Sequence, residues 1–210
     1  ITKFLDIHDY QPIRRGADLP WWGKTYFDHN SNSRVMIISQ DSLSENAGSV
    51  AFWANLYNVV TNEDEFSKYT LLLKDKNLFS YNSWKRVLSI IKEWNICIEN
   101  CYITDAAKVY KEGSNKDRDF DLAASKELLK AEIKLCKPRL IILLGASPLR
   151  LLMPEVKYSN TIENGEYLDY QDIKTVVSPF ITGQGHTQKN YKYRFELATR
   201  LIKDYDILEK

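Results

Sequence analysis

Four short apolar runs, set between stretches of helical periodicity, limit the folds open to this chain. Residues 35–38, 101–104, 140–144 and 173–177 form these runs, and β-branched residues are frequent in them. Such runs are typical of strands that are buried on both faces of a sheet. Because a helical stretch precedes three of the four, we predict an α/β fold. It should have three α/β/α layers around a central, mainly parallel four-stranded sheet.

We predict five helices, one of which, residues 83–94, has apolar residues at three- and four-residue spacing. Their expected ranges are 47–60, 83–94, 122–136, 149–153 and 191–205. Ser83 is a plausible N-cap for the second of these helices. The third is amphipathic, and we expect Leu128, Leu129, Ile133 and Leu135 on its inner face.

The composition favours one domain. With 210 residues, of which 44% are hydrophobic and 12% aromatic, the chain can build a substantial core. We expect a single domain over residues 1–210, in which residues 1–33 form an irregular segment that wraps the domain and is pinned by aromatic side chains. A net charge of +1 creates no overall field for nucleic acid. A DNA-binding face would therefore have to come from local clusters of Lys and Arg.

The cysteines and the absence of long apolar stretches bear on cofactors and compartment. Cys97, Cys101 and Cys136 contain no CxxC pair, which indicates reduced thiols rather than a metal site. No apolar stretch approaches the roughly 18–20 residues of a membrane span, and the N-terminus lacks the form of a signal peptide. We therefore expect a cytoplasmic monomer that has no cofactor and no membrane partner.

Polar side chains follow three of the four predicted strands. Gln40 and Asp41 follow the first strand, Asp105 ends the second, and Ser178 follows the fourth. In parallel α/β sheets, ligands bind just beyond the carboxyl ends of the strands, so we expect these side chains at one edge. A simpler interpretation is that Asp41 and the adjacent Ser42 cap the next helix.

The order of the motifs resembles the uracil-DNA glycosylase superfamily over roughly residues 20–200. The matching segments are SQDS at 39–42, Gly48 to Phe52, YITDAAK at 102–108, KPRLIILLGASPLR at 137–150 and VVSPF at 176–180. In the family, the corresponding segments are a strand ending in a GQDP-type motif, an aromatic that stacks on the extruded base, a strand ending in a base-reading Asn, a strand–turn–helix, and a His-Pro-Ser or Asn-Pro-Ser motif. The resemblance implies a uracil-DNA glycosylase-like fold and DNA as the partner.

The resemblance also assigns roles to individual residues. Asp41 would assist cleavage of the N-glycosidic bond, Phe52 would stack on the base, and Gln40 would contact the base or its phosphate. Ser178 stands where the family has the His that donates to the departing base. His186, in the loop that follows, is an alternative donor.

Several departures from the family pattern point to a changed specificity. The proline and the aromatic-His pair that follow Asp41 in the family are absent, as are the four cysteines of the iron–sulfur members, so no metal cluster is expected. Asp105 stands where the family has the base-reading Asn. An ionised carboxylate only accepts hydrogen bonds, so it suits the N4 amine of cytosine better than O4 of uracil. We expect a glycosylase that removes a cytosine-type or modified base, for instance in defence against phages with modified DNA.

Other functions stay open on the sequence. The chain could be a catalytically silent nucleic-acid-binding module of the same fold, or a conventional uracil-DNA glycosylase. A third alternative is a hydrolase or transferase that uses Asp41 or Ser178 on a free nucleoside, which requires a base beside the nucleophile.

Apolar and basic residues after Ser178 are candidates for DNA contacts. Phe180 or Ile181 could fill the gap left by a flipped nucleotide, although core packing explains them equally well. Lys189 and Lys192 could contact phosphates.

We predict that charge reversal at Lys189 and Lys192 flattens the salt dependence of DNA binding. If both side chains contact phosphates, the variant binds with fewer phosphate contacts and therefore releases fewer counterions from the DNA. The measurement is the dissociation constant of the Lys189→Glu/Lys192→Glu variant for an oligonucleotide at several salt concentrations. A slope equal to that of the unmodified protein would contradict these contacts.

Overall fold

The computed structural model describes residues 20–28, 33–40, 50–55, 81–108, 121–181 and 189–205, with the side chains of 52, 53, 55 and 81–85 outside the description. Six strands lie in this part of the chain: β1 Trp21–Trp22, β2 Val35–Ser39, β3 Cys101–Asp105, β4 Leu140–Leu144, β5 Leu168–Tyr170 and β6 Ile173–Ser178. They form one sheet in the order β1-β3-β2-β4-β6-β5. The four central strands are parallel, and β1 and β5 are antiparallel to their neighbours.

The helices that the structure describes are α1 Val50–Asn55, α2 Tyr81–Glu93, α3 Leu122–Cys136, α4 Ala146–Leu152, α5 Tyr158–Asn164 and α6 Tyr191–Asp204, with a short 3-10 helix at Ile98–Asn100. The buried side chains of α1, α2 and α6 pack on one face of the sheet. Those of α3, α4 and α5 pack on the other face. The predicted three-layer α/β/α fold with a mainly parallel central sheet is confirmed.

The number of strands differs from the expected four. The two additional strands are β1, which has two residues, and β5, which has three. Both lie at the edges of the sheet, and such short segments carry too few positions to show an alternating pattern. A tight turn joins β5 to β6, in which Gln171 and Asp172 both have positive φ angles. This left-handed backbone matches the twist of a two-residue hairpin.

The two apolar faces of the central strands follow the alternation of side chains along a strand. Ile37, Ile103 and Ile142 point toward α1, α2 and α6. Ile38 and Ile141 point toward α3, α4 and α5. All five are at most 1% exposed, which explains why the parallel strands read as continuous apolar runs rather than alternating ones.

Several helix boundaries and one helix face were predicted incorrectly. Helix α2 begins at Tyr81, so Ser83 lies inside the helix and is not its N-cap. On α3, Leu129 and Ile133 are buried as expected. However, Leu128 and Leu135 are largely exposed. The buried positions are 125, 129, 133 and 136, and this spacing of three and four residues leaves room for Ser125 and Cys136 instead of the two leucines.

Three further differences concern the shorter helices. Helix α4 begins at Ala146, three residues earlier than expected, because Pro148 is tolerated within the first turn of a helix. Helix α5 was not predicted, since its seven residues are mostly polar. The predicted range 47–60 is helical over Val50–Asn55, and its remaining residues lie outside the described part.

The described part of the N-terminal segment joins the sheet through aromatic contacts. Strand β1 pairs with β3, and Tyr26 is fully buried. The ring of Trp22 stacks on that of Tyr102 with 6.3 Å between centroids. Burial raises the pKa of the Tyr26 hydroxyl well above its usual range, so this group is neutral. The expectation that residues 1–19 wrap the domain falls outside the described residues.

All three cysteines are free thiols, with Cys97 exposed and the other two buried. Burial raises the pKa of Cys136 to about 11 and that of Cys101 further, because a thiolate would lose its hydration. Among the described residues, no helix is both long and apolar enough to span a bilayer.

A buried hydrogen bond joins Trp94, the residue that follows α2, to Thr199 of α6. The indole Nε1 of Trp94 donates to Oγ1 of Thr199 at 3.1 Å, and Trp94 is 1% exposed. The Trp94 ring also packs against Phe195 with 6.2 Å between centroids. Near the opposite end of the same pair of helices, Arg86 contacts Tyr191, which shows that the two helices run in the same direction.

We predict that Trp94→Phe lowers the free energy of unfolding by about 1–3 kcal/mol, because it removes the indole donor and leaves the hydroxyl oxygen of Thr199 unpaired in the core. Thr199→Val removes the same bond from the other side. The double variant should lose less than the sum of the single losses, with a coupling energy of about 0.5–1.5 kcal/mol in urea unfolding. Strict additivity would show that the bond contributes nothing.

Candidate functional site

The carboxyl ends of the parallel strands meet at one edge of the sheet, as the predicted sheet requires. Ser39 at the end of β2 pairs with Asp105 at the end of β3, and Ser178 at the end of β6 pairs with Leu144 of β4. Side chains paired in register on parallel strands point to the same face, so the three polar residues face α1, α2 and α6 with Leu144. All three are 0% exposed. A buried polar row therefore closes the apolar core at this edge.

The two serine hydroxyls of this row each donate to the backbone carbonyl of the following residue. Oγ of Ser39 donates to the carbonyl of Gln40 at 2.6 Å, and Oγ of Ser178 donates to the carbonyl of Pro179 at 3.1 Å. In this arrangement each hydroxyl keeps only its acceptor capacity for a ligand. Ser178 would have to rotate its hydroxyl before it could donate to a departing base.

Backbone hydrogen bonds extend the sheet one residue past the strand ends. The N–H of Ala106 donates to the carbonyl of Ser39 at 2.7 Å, and the N–H of Gly145 donates to that of Ser178 at 2.8 Å. These bonds hold the turns after β3 and β4 against their neighbours. The positions of Asp105 and Ser178 are consequently set by the sheet itself.

Gln40 is held against the turn that begins α4. Its Oε1 accepts a hydrogen bond from Oγ of Ser147 at 3.3 Å. Gly145 lies beneath both this amide and Phe180, since a Cβ at Gly145 would be 3.6 Å from Cβ of Phe180 and 3.8 Å from Oε1 of Gln40. With its oxygen engaged by Ser147, the amide has its NH₂ group left to donate to a ligand.

A buried ion pair fixes the segment that follows Asp105. The ammonium of Lys108 lies 2.9 Å from Oε1 of Glu132 on α3, and the two side chains are 6% and 20% exposed. Oγ1 of Thr104 donates to Oε2 of Glu132 at 3.0 Å and also accepts a hydrogen bond from Lys108. Thr104 points to the opposite face from Asp105 because the two residues are consecutive in β3. The cluster thus anchors the strand end from behind the candidate site.

The charge of Glu132 in this cluster also affects the pKa of Tyr102. Burial, reinforced by the charge of Glu132, raises the pKa of the Tyr102 hydroxyl well above its usual range, so Tyr102 stays neutral. In the part of the chain that the structure describes, no three His, Cys, Asp or Glu side chains are grouped so that they could hold a metal ion.

The structure brings some of the predicted site residues together and leaves others undescribed. Gln40, Asp105 and Ser178 lie at the carboxyl edge. Asp41 and His186 fall outside the described residues, as does the side chain of Phe52, whose backbone belongs to α1. Their predicted roles stay predictions.

The candidate DNA contacts differ in exposure. Ile181 is 1% exposed within the core, which agrees with core packing, and Phe180 is half-buried against the same core. Lys189 and Lys192 are exposed just before and within the first turn of α6. The side chain of Lys192 is 91% exposed, and its only described ion pair is a 3.9 Å contact with Glu196.

Sequence reasoning did not identify Lys108 or Ser147 as part of this edge. Ser147 and Lys108 lie within quoted motifs, but only the fold shows that Ser147 reaches Gln40 across 107 positions.

Comparison with known protein families assigns the chain. A model of the uracil-DNA glycosylase superfamily matches residues 27–200, which is most of the chain. The chain belongs to this superfamily. None of the curated proteins matches the sequence.

Membership gives the strand ends a functional context. The superfamily generally comprises DNA glycosylases, and they act on DNA. The match includes all four parallel strands and the polar row at their ends. This superfamily member therefore carries the polar row at the edge where a ligand is expected in a parallel α/β sheet.

We predict that Gly145→Ala lowers the free energy of unfolding by about 1–3 kcal/mol, because the backbone at this position has φ 85° and ψ −170°, a conformation that essentially only glycine adopts. The neighbouring substitution Ala146→Gly provides the control, with a loss of about 1 kcal/mol or less in α4. Urea unfolding measures both. A Gly145→Ala variant as stable as the unmodified protein would refute the requirement for glycine.

Proposed function

We propose that this superfamily member is a DNA glycosylase that hydrolyses the N-glycosidic bond of a flipped-out cytosine-type or modified base. The observation that carries the proposal is the position of Asp105. It ends β3 at the carboxyl edge, is 0% exposed, and stands in the motif where the family has a base-reading Asn.

The chemistry of Asp105 favours cytosine over uracil. An ionised carboxylate accepts a hydrogen bond from the exocyclic N4 amine of cytosine, whereas it meets the O4 oxygen of uracil with like partial charge. Such an unmatched polar contact in a buried pocket costs about 1–3 kcal/mol. The substitution thus shifts the preference between the two bases by about one to two orders of magnitude.

We assign the other predicted site residues to roles in the cleavage step. As the bond breaks, the sugar gains positive charge and the base gains negative charge. We assign Asp41 to the sugar side, where its carboxylate would stabilise the cation or orient water, and Phe52 to the face of the base. The amide NH₂ of Gln40 is available for the base or its phosphate, because Ser147 occupies the amide oxygen. The donor for the leaving base is Ser178 after rotation of its hydroxyl, or His186.

Unmodified cytosine is abundant in every genome, so a useful enzyme of this kind must select a modified base. A role in defence against phages whose DNA carries modified cytosine fits this requirement. We further propose that the protein acts as a single-domain cytoplasmic monomer without a cofactor.

A catalytically silent DNA-binding module is the second candidate. It is favoured by the hydrogen bond from Ser178 to the Pro179 carbonyl, which occupies the only hydroxyl proton at the position of the family His. Formation of abasic sites separates the two candidates, since a binding module forms none.

We predict that the protein releases a 5-substituted cytosine from oligonucleotides faster than it releases uracil, and that Asp105→Asn shifts the preference toward uracil. The assay counts abasic sites in matched oligonucleotides bearing uracil, cytosine or 5-substituted cytosine, and in hypermodified phage DNA beside unmodified DNA. Asp41→Asn serves as the control for catalysis, and should form few or no abasic sites. Asp172→Asn, an exposed position in the β5–β6 turn, serves as the matched control for the Asp→Asn change.

Robust release of uracil alone by the unmodified protein would contradict the altered specificity and support a conventional uracil-DNA glycosylase. No abasic sites on any substrate, with DNA binding retained, would support the silent module.

A further inference from the structure

Arg86 of α2 is a half-buried cation whose described partners are all uncharged. Its guanidinium carbon lies 5.8 Å from the ring centroid of Tyr191, and Nη2 donates a long 3.4 Å hydrogen bond to the Tyr191 hydroxyl. Its Nε is buried and has no hydrogen-bond partner among the described residues. Contact with an aromatic ring offsets only part of the cost of burying a guanidinium group.

Three other cations of the described part differ from Arg86 in this respect, whereas Arg34 likewise bonds only to uncharged groups, the carbonyls of Tyr26 and Asp28. Arg194 lies 2.6 Å from Glu163, Lys108 lies 2.9 Å from Glu132, and Lys174 lies 2.8 Å from Asp169. Each of these charges is thus compensated by a carboxylate of the protein itself. Among the described residues, no carboxylate forms an ion pair with Arg86.

The fold places Arg86 toward the edge of the sheet that carries the candidate site. Helix α6 ends at the amino edge of the sheet, because the Tyr205 hydroxyl donates to the carbonyl of Arg139, immediately before β4. Its first residue, Tyr191, therefore lies toward the carboxyl edge, and Arg86 lies with it. Helices α2 and α6 both cover the face of the sheet to which Asp105 and Ser178 point.

We propose that Arg86 binds a backbone phosphate of the DNA strand beside the extruded nucleotide. The planar guanidinium presents parallel N–H groups that match two oxygens of a phosphate, and the Tyr191 ring holds its orientation before DNA arrives. Exposed Lys189, just before α6, adds positive charge near the same helix end. This assignment rests on the proposed action on DNA and adds a contact that orients the strand, not a step in bond cleavage.

The test measures binding rather than cleavage, so it can be read whether or not the protein is an active glycosylase. The probe is a fluorescent single-stranded oligonucleotide with one 5-methylcytosine, and its dissociation constant is measured by anisotropy at several salt concentrations. Arg86→Gln should reduce the slope of log K against log salt by about 0.7, the value for one phosphate contact on a single strand. Arg86→Lys, which keeps the charge, should retain most of the slope.

Arg200→Gln is the matched control. Arg200 is an exposed residue near the C-terminal end of α6, which lies at the amino edge of the sheet, away from the candidate site. Its replacement should leave the slope unchanged. Thermal unfolding of each variant separates a structural effect from a binding effect, since loss of the Arg86–Tyr191 contact can lower Tm but does not by itself change a salt slope.

A scan of methylphosphonate substitutions identifies the contact directly. Replacing one phosphate beside the modified base with a neutral methylphosphonate should weaken binding of the unmodified protein but not of Arg86→Gln. Identical scans for both proteins, together with equal salt slopes, would overturn the proposal. If inorganic phosphate raises the Tm of the unmodified protein but not of Arg86→Gln, while both DNA measurements are unchanged, Arg86 binds a free anion and the assignment to DNA is wrong.

The two proposals fail in different ways. A changed slope and scan without abasic sites would support the Arg86 contact in a silent binding module. Abasic sites with an unchanged slope and scan would support the glycosylase and reject Arg86 as its phosphate contact.

Discussion

The parallel register of the four central strands is the constraint on which the candidate site depends. Pairing of Ser39 with Asp105 and of Leu144 with Ser178 brings together residues that are up to 139 positions apart in the chain. No loop needs to fold onto another for this to happen, because the ladder hydrogen bonds set each strand end directly. Polar groups can be buried here since backbone carbonyls one residue farther on accept the serine hydroxyls.

The two last residues of β3 point to opposite faces of the sheet. Thr104 takes part in contacts that stabilise the strand end, and Asp105 is the proposed base-binding residue. Thr104 points toward α3, where Glu132 and Lys108 bind it in a compact charged cluster. Asp105, the next residue, points to the other face and toward the proposed base pocket. The cluster thus helps to hold the backbone of Asp105 in place from the opposite face of the strand. If Asp105 reads the base, as proposed, this separation lets it differ from the family pattern while the surrounding strand keeps its geometry.

The sequence predicted the central strands well because they are buried on both faces. The order of the motifs, compared with a known family, predicted the fold class. All four central strands and the Leu122–Cys136 helix were predicted close to their observed limits. Edge strands of two and three residues were not, because pairing rather than side-chain pattern defines them. The inner face of α3 was predicted incorrectly because Leu128 and Leu135 are apolar but lie on the solvent side. Packing against the sheet, rather than the apolar character of a residue, decides which side is buried. The link from Ser147 to Gln40, and the position of Arg86 over Tyr191, depend on contacts between distant segments that no local pattern contains.

The two short antiparallel strands at the margins of the sheet have a consequence for how the molecule behaves in a crowded solution. A long, flat parallel sheet with open margins would offer a row of free amides and carbonyls to strands of other molecules. Here β1 and β5 border the parallel strands on either side and contribute only two and three residues each. Edge strands this short give an incoming strand too little backbone to pair with. They therefore disfavour aggregation through intermolecular strand addition.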